Sequence, residues 1–289
     1  MIPRSSCSRN GKGKGKNKTK TARLWAYVRD ETAWASGVPP AVWYQFSTSR
    51  GAEHPNRHLA TYEGFAHVDA DAGYNNAHRT GRVKEMACIA HVRRAFFDLY
   101  QSTKLPVVGE AILRIKKLYD VETQARVLPA SERVALRQEY GKLIFDDLKV
   151  WLQEQLGMIS GKTPLAKAIR YALARIPKAR PYLDHRFLEL DNNTAERAVR
   201  PVTLGRKNYL FMGLEAGGKS AAIAYTLIET AKVNKASPEA RLAWGPGQNA
   251  SKIIPQTVAT NCDRGLIKTG STLKTPRPRQ KTQLDQAPR

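Results

Sequence analysis

The chain has 289 residues, 42% of them hydrophobic, enough to bury a core and to build one large domain or two ordinary ones. Its 48 Lys and Arg against 25 Asp and Glu leave a formal charge of +23 and a pI near 10.1, which argues against an enzyme of free small metabolites and for a polyanionic partner. No apolar run reaches the roughly 20 residues of a membrane span. The three cysteines, Cys7, Cys88 and Cys262, are too scattered for a disulfide scaffold and fit a reducing, cytoplasmic compartment.

The first 29 residues carry Arg4, Arg9, Lys12, Lys14, Lys16, Lys18, Lys20, Arg23 and Arg29 without one acidic residue, and lack the apolar stretch of a secretory signal. Residues 1–22 are therefore expected to be a disordered basic segment. Strand patterns follow. Arg23-Leu-Trp-Ala-Tyr-Val-Arg29 and Ala41-Val-Trp-Tyr-Gln-Phe46 alternate as in a half-buried hairpin, with Gly37-Val-Pro-Pro40 as the turn region. In Gly64–Ala70, period two places Phe65, His67 and Asp69 on one side of a strand, with Asp69 at its end. Met86–Ala90 reads as another strand, and Arg93–Tyr100 as a helix.

From Val107 to Ile176 the period becomes helical. One stripe holds Ile112, Ile115, Leu118 and Tyr119. A second, capped by Ser131, holds Leu136, Tyr140, Leu143, Ile144, Leu148, Trp151 and Leu152. A third helix starts at Thr163-Pro164, an N-cap followed by proline in the first turn, and turns Leu165, Ile169, Ala172, Leu173 and Ile176 inward. Mixed structure returns with a helix at Asn193–Arg200, a strand at Asn208–Met212 and a last helix from Ser220 to Val233. Residues 234–289, rich in proline and polar residues, are expected to be a disordered basic tail.

Several stretches together resemble the IS66-type transposases. They are Lys18–Asp30, Val68-Asp-Ala-Asp-Ala-Gly-Tyr-Asn75, Cys88-Ile-Ala-His-Val-Arg-Arg-Ala-Phe-Phe-Asp98, Ser160–Tyr171, Leu190-Asp-Asn-Asn-Thr-Ala-Glu-Arg-Ala-Val-Arg-Pro201, Leu204–Phe211 and Gly217–Asn234. The resemblance runs through most of residues 18–234. It implies an α/β fold with a ribonuclease-H-like mixed sheet core, residues 23–103 and 187–233, interrupted by a helical insertion at 104–186. It also implies a DDE enzyme of bacterial DNA transposition, in which three carboxylates and Mg²⁺ or Mn²⁺ cut and join DNA. Asp69 matches the second acidic residue and Glu196 the last, and both are implied as catalytic metal ligands. The first corresponds to a position upstream of Met1, so the chain is expected to be catalytically impaired alone. The C-terminal region departs from the family pattern after Asn234. Implied partners are DNA and, for assembly, further copies or other transposase subunits.

The chemistry of the residues is consistent with this. Phosphodiester displacement uses two metal ions about 3.5–4 Å apart on hard carboxylate oxygens. Arg93, Arg94, Arg197, Arg200, Arg206 and Lys207 are candidates for a DNA path, Arg200 on the helix face of Glu196 and Arg197 about 100° from it. Each feature has a plainer alternative. Asp69 can be a turn former, and the basic residues a solvated surface. Asn193-Thr-Ala-Glu196 has the spacing of a capping box. Cys88 and His91 are spaced like half a zinc site but have no second Cys/His pair, which favours a buried thiol beside an imidazole. Asp71 is given no ligand role, and Asp191 and Asn192 shape the turn before the helix. Trp25, Tyr27, Trp43 and Tyr44 read as core rather than as stacking platforms for bases. Two rival functions are a non-catalytic DNA-binding remnant and a nucleotide-binding protein, since Gly213-Leu-Glu-Ala-Gly-Gly-Lys-Ser220 satisfies the phosphate-loop pattern.

Overall fold

A computed structural model describes residues 4–7, 20–32, 37–67, 74, 78–205, 214–244 and 266–269. The elements in chain order are β1 (Arg4–Cys7), β2 (Lys20–Arg29), β3 (Ala41–Ser47), α1 (Glu53–His58), β4 (Gly64–His67), β5 (Val83–Met86), α2 (Ile89–Thr103), α3 (Pro106–Ala125), α4 (Ala130–Leu136), α5 (Lys142–Gly157), α6 (Pro164–Ala179), α7 (Asn193–Gly205), α8 (Glu215–Val233), α9 (Pro238–Trp244) and β6 (Leu266–Thr269). The chain is a mixed α/β protein. Among the described residues no helix is long and apolar enough to cross a membrane.

The six strands form one sheet in the order β1-β2-β6-β4-β5, with β3 also on β2. The expected hairpin is present: β2 and β3 pair antiparallel from Arg23↔Ser47 to Arg29↔Ala41. The other edge of β2 is shared, since β1 pairs with Lys20–Arg23 and β6 with Tyr27–Arg29. β6 then runs parallel to β4, and β4 parallel to β5. Both segments read as disordered thus contribute short elements, β1 on one side and α9 and β6 on the other. Their composition hides this because a four-residue strand is selected by the backbone groups it pairs with, not by any period of its own.

The sheet is also buried more deeply than alternation suggested. Ala22–Arg29 are all buried, because both faces are covered. Trp25 and Tyr27 pack with Leu59, Tyr62, Ala66, Tyr74 and Val83. Leu24, Ala26 and Val28 pack on the opposite face with Ala195, Ala198, Val199 and Val202 of α7 and Ala222 of α8. The aromatic strand residues are core, as the plainer reading had it. Helix α8 also covers the exposed backbone of β3: Thr226 Oγ1 accepts from Tyr44 N (3.0 Å) and Thr230 Oγ1 from Val42 N (3.1 Å), which blocks further strand pairing at that edge.

The helical block α2–α6 packs around a second core that includes Met86, Phe96, Ile115, Phe145, Leu152 and Ile176. Thr163 caps α6 as expected, its Oγ1 accepting from Ala166 N at 3.1 Å. Ser131 is not a cap, since α4 starts from Pro129 with no side-chain cap bond. Between α4 and α5 lies one π turn, Arg137–Gly141. The extra residue in that turn shifts the buried stripe. Arg137, Gly141, Phe145, Leu148 and Leu152 face inward, while Tyr140 and Leu143 are exposed. The inward Arg137 is tolerated because its guanidinium bonds Glu122 through Nε (3.1 Å) and Nη2 (2.9 Å).

Candidate metal centre

Strand β5 ends at Met86, and the chain turns through Ala87 and Cys88 into α2. Cys88 has extended backbone angles, φ −88° and ψ 116°, and occupies the N-cap position. The segment that leads into α7 is fastened here. Ile89 N donates to Leu190 O (3.0 Å), and Asn192 N donates to Cys88 Sγ (3.2 Å). Asp191 Oδ1 accepts from Asn193 N (3.0 Å), so Asp191 and Asn192 shape the turn as expected. Burial raises the Asp191 carboxyl above its ordinary range.

Two helices therefore begin side by side, α2 after Cys88 and α7 after Asn192. Their N-terminal dipole ends both favour negative charge in the space between them. His91 stands in the first turn of α2 and Glu196 in the first turn of α7. Ligand atoms of Cys88, His91 and Glu196 lie within 4.8 Å of one another. His91 Nε2 is 3.1 Å from Glu196 Oε1, and Arg94 Nη2 is 3.3 Å from Glu196 Oε2. Glu196 Oε1 is buried and makes no hydrogen bond among the described residues.

This geometry overturns the capping-box alternative for Glu196. Asn193 is the first helical residue rather than the cap, and the Glu196 carboxylate turns to Arg94 and His91 on another helix. It also changes the reading of Cys88 and His91. They are a buried thiol beside an imidazole, as expected, but a third donor reaches them from α7. Burial pushes the Cys88 thiol up to about 12, against the backbone N–H groups of Asn192 and His91, which act to lower it.

Asp69 lies outside the described residues, as do Asp71, Arg206, Lys207 and the expected strand at 208–212. The described part of β4 ends at buried His67, whose Nε2 is 3.0 Å from Glu189 O. A carbonyl only accepts, so Nε2 carries the proton. Arg93 and Arg94 line a cleft of about 500 Å³ near Glu196, together with Phe97, Lys116, Tyr119, Asp120 and Asn193. Arg197 is exposed and lines a different cleft with Asp30, Glu229 and Lys232, about 300 Å³ in volume. Arg200 is exposed. Of the predicted basic set, the structure brings Arg94 to Glu196, places Arg93 beside Arg94 in the neighbouring cleft and sets Arg197 apart.

The phosphate-loop pattern fares differently. Gly213 lies outside the described residues, and Glu215–Ser220 are already the first turns of α8. The amide of Gly218 bonds Leu214 O at 3.3 Å within that helix. A Cβ on Gly218 would come within 2.2 Å of the Phe46 ring, so the glycine lets helix and sheet approach rather than making room for a phosphate.

The profile described as "Transposase IS66 family" matches residues 8–220. The chain belongs to the IS66 transposase family. Three relatives come from Sinorhizobium fredii. The chain is 38% identical to "Uncharacterized protein y4qI" over 75% of its own length and 42% of that protein. It is 36% identical to "Uncharacterized protein y4hP", covering 77% of this chain and 43% of the relative, and 34% identical to "Uncharacterized protein y4jD", covering 76% and 44%. This IS66-family chain thus spans less than half the length of the curated relatives it matches. No solved structure matches it.

Proposed function

We propose that the chain is part of a DDE transposase with a ribonuclease-H-like core, in which Asp69 and Glu196 hold divalent metal, Mg²⁺ or Mn²⁺, against DNA. The mixed sheet supports the core reading, with β2 antiparallel to its neighbours and β6, β4 and β5 parallel. The observation that carries the site is Glu196 Oε1, a buried carboxylate oxygen that makes no hydrogen bond among the described residues and has His91 Nε2 3.1 Å away, at the joint start of two helices and beside the Arg93–Arg94 cleft. A buried charge left in that state fits a cation partner. Bound ions would activate a water or a 3′-hydroxyl and stabilise the leaving oxygen of a phosphodiester.

Arg93 and Arg94 supply phosphate contacts, and Arg200, Arg206 and Lys207 extend the basic surface. Their binding term is electrostatic and falls steeply with salt. Cytoplasmic chromosomal DNA is the corresponding substrate.

The test is Mn²⁺ titration of the purified chain by calorimetry or electron paramagnetic resonance. Asp69→Ala and Glu196→Gln should each weaken binding by about 10-fold or more. If both variants bind Mn²⁺ like the wild type while DNA binding is retained, the protein is a passive DNA binder and the metal reading fails.

A further inference from the structure

The sulfur at this site has no task in a carboxylate–Mg²⁺ centre, because thiolates suit softer ions. Yet Cys88 Sγ, although burial favours its neutral form, accepts from the backbone. Two backbone N–H groups, of Asn192 at 3.2 Å and of His91, are directed at it, and it stands at the N-terminus of the 15-residue helix α2. His91 and Glu196 complete a set of three donors, one each of sulfur, nitrogen and oxygen. Their burial is graded. Cys88 is closed off, whereas the His91 and Glu196 side chains are 14% and 15% exposed, which leaves one side of the cluster within reach of solvent.

We propose that Cys88 Sγ, His91 Nε2 and the Glu196 carboxylate form a zinc-class site, with a fourth position open to water or a phosphate oxygen. Zn²⁺ bonds of about 2.3 Å to sulfur and about 2.0–2.1 Å to nitrogen or oxygen put these tetrahedral ligand atoms about 3.3–3.6 Å apart. The three donors lie within 4.8 Å, so closing on an ion takes shifts of about an ångström, within reach of His91 and Glu196 rotamers. His91 Nε2 and Glu196 Oε1 stand 3.1 Å apart, and Oε1 makes no hydrogen bond, as expected of two donors that face a common ion. Binding would release the thiol proton. The ion would tie the β5–α2 junction to α7 and hold the Glu196 carboxylate in place. The site shares Glu196 with the function proposed above but needs neither Asp69 nor DNA.

Co²⁺ is the probe, added to the full-length chain carrying Cys7→Ser and Cys262→Ser so that Cys88 is the sole thiol. A thiolate-to-cobalt charge-transfer band in the near ultraviolet and tetrahedral visible bands are expected, with Zn²⁺ bleaching both and millimolar Mg²⁺ leaving them. Cys88→Ser should abolish the near-ultraviolet band, while His91→Ala and Glu196→Gln should each weaken Co²⁺ binding at least about 10-fold. Asp69→Ala should leave the band intact. Absence of a thiolate band in the parent protein overturns the site, as does a band that survives Cys88→Ser. If Cys88→Ser does not fold, unchanged affinity in the His91 and Glu196 variants overturns it equally. Loss of Mn²⁺ binding in Asp69→Ala with the cobalt band preserved supports both readings, and loss of the cobalt site alone leaves the Mg²⁺ reading standing.

Discussion

Glu122 and Glu196 are carboxylates of the same type in two helices of the same chain, and their surroundings are opposite. Glu122, 2% exposed in α3, receives Nε and Nη2 of fully buried Arg137, and the Tyr182 hydroxyl donates to it at 2.5 Å. Arg137 in turn spans to the carbonyl oxygens of Tyr182, His185 and Leu188, at 3.1–3.5 Å, and lies 4.1 Å over the Tyr182 ring. Every strong donor has an acceptor. Glu196 meets His91 Nε2 3.1 Å from Oε1, with no hydrogen bond to that oxygen among the described residues, and an exposed arginine at Oε2. The contrast separates a carboxylate enclosed by strong donors from one that only an imidazole and an exposed guanidinium face. The Arg137 network also pins the segment from Tyr182 to Leu188, which delivers Leu190–Asn192 to Cys88, so the scaffold carboxylate serves the other at a distance.

The largest expected effect follows from breaking the closed partner. Glu122→Ala leaves the Arg137 guanidinium buried without its counterion, which costs about 3–5 kcal/mol. For a chain of this size that is a fall in Tm of about 10 °C, measurable by calorimetry. A loss below about 1 kcal/mol would show that the pair does not hold the scaffold.

A smaller effect sharpens the comparison, because an unbonded buried atom is not by itself a binding site. His58 Nε2 is also buried without a hydrogen bond, but its ring lies between Tyr27 and Trp43, with centroids 3.8 Å and 4.4 Å away. Burial lowers its pKa from 6.5 to about 4, so the ring is simply neutral at pH 7. The unfolded chain takes up that proton near pH 6.5 and the folded chain only near pH 4. Between these values the unfolded state binds more protons, and stability falls as pH falls. From pH 7 to pH 5 the loss from this group is about 2 kcal/mol. His58→Phe should remove that part of the slope in denaturant titrations at the two pH values. An unchanged slope would mean that the ring is reached by water.

Much of the fold was legible because its signals are local. Thr163-Pro164 contains its own cap and first-turn proline, and the β2–β3 hairpin is written in alternating residues with a turn between them. Other parts were hidden by contacts distant in sequence. The phase of the α4–α5 stripe depends on a π turn that no periodicity announces, and on Glu122 accepting Arg137. The burial of both faces of β2 depends on α7 and α8, and the strand Leu266–Thr269 depends on vacant backbone groups of β2 and β4. At the site, Glu196 was singled out through the resemblance, whereas Cys88 and His91 were noted for their spacing but read as a buried thiol beside an imidazole. Their meeting was not legible, because the Ile89–Leu190 and Asn192–Cys88 hydrogen bonds that join the two helix starts have no trace in either segment alone.

The smallest effect is the most direct test of the contrast. Glu196→Gln keeps the side-chain volume and removes the charge. Oε1 makes no hydrogen bond among the described residues, His91 Nε2 3.1 Å away can face the amide as it faces the carboxylate, and the Arg94 partner of Oε2 is 44% exposed, so water can take its place. Stability should therefore change by less than about 1 kcal/mol, even though metal binding is lost. Equilibrium unfolding of this variant beside Glu122→Ala makes the comparison within one protein. A penalty for Glu196→Gln that approaches the Glu122 value would mean that its carboxylate is a structural partner of His91 and Arg94 rather than a ligand for an ion. A penalty near zero leaves a buried acid that the fold does not require, which is the condition a metal ligand has to meet.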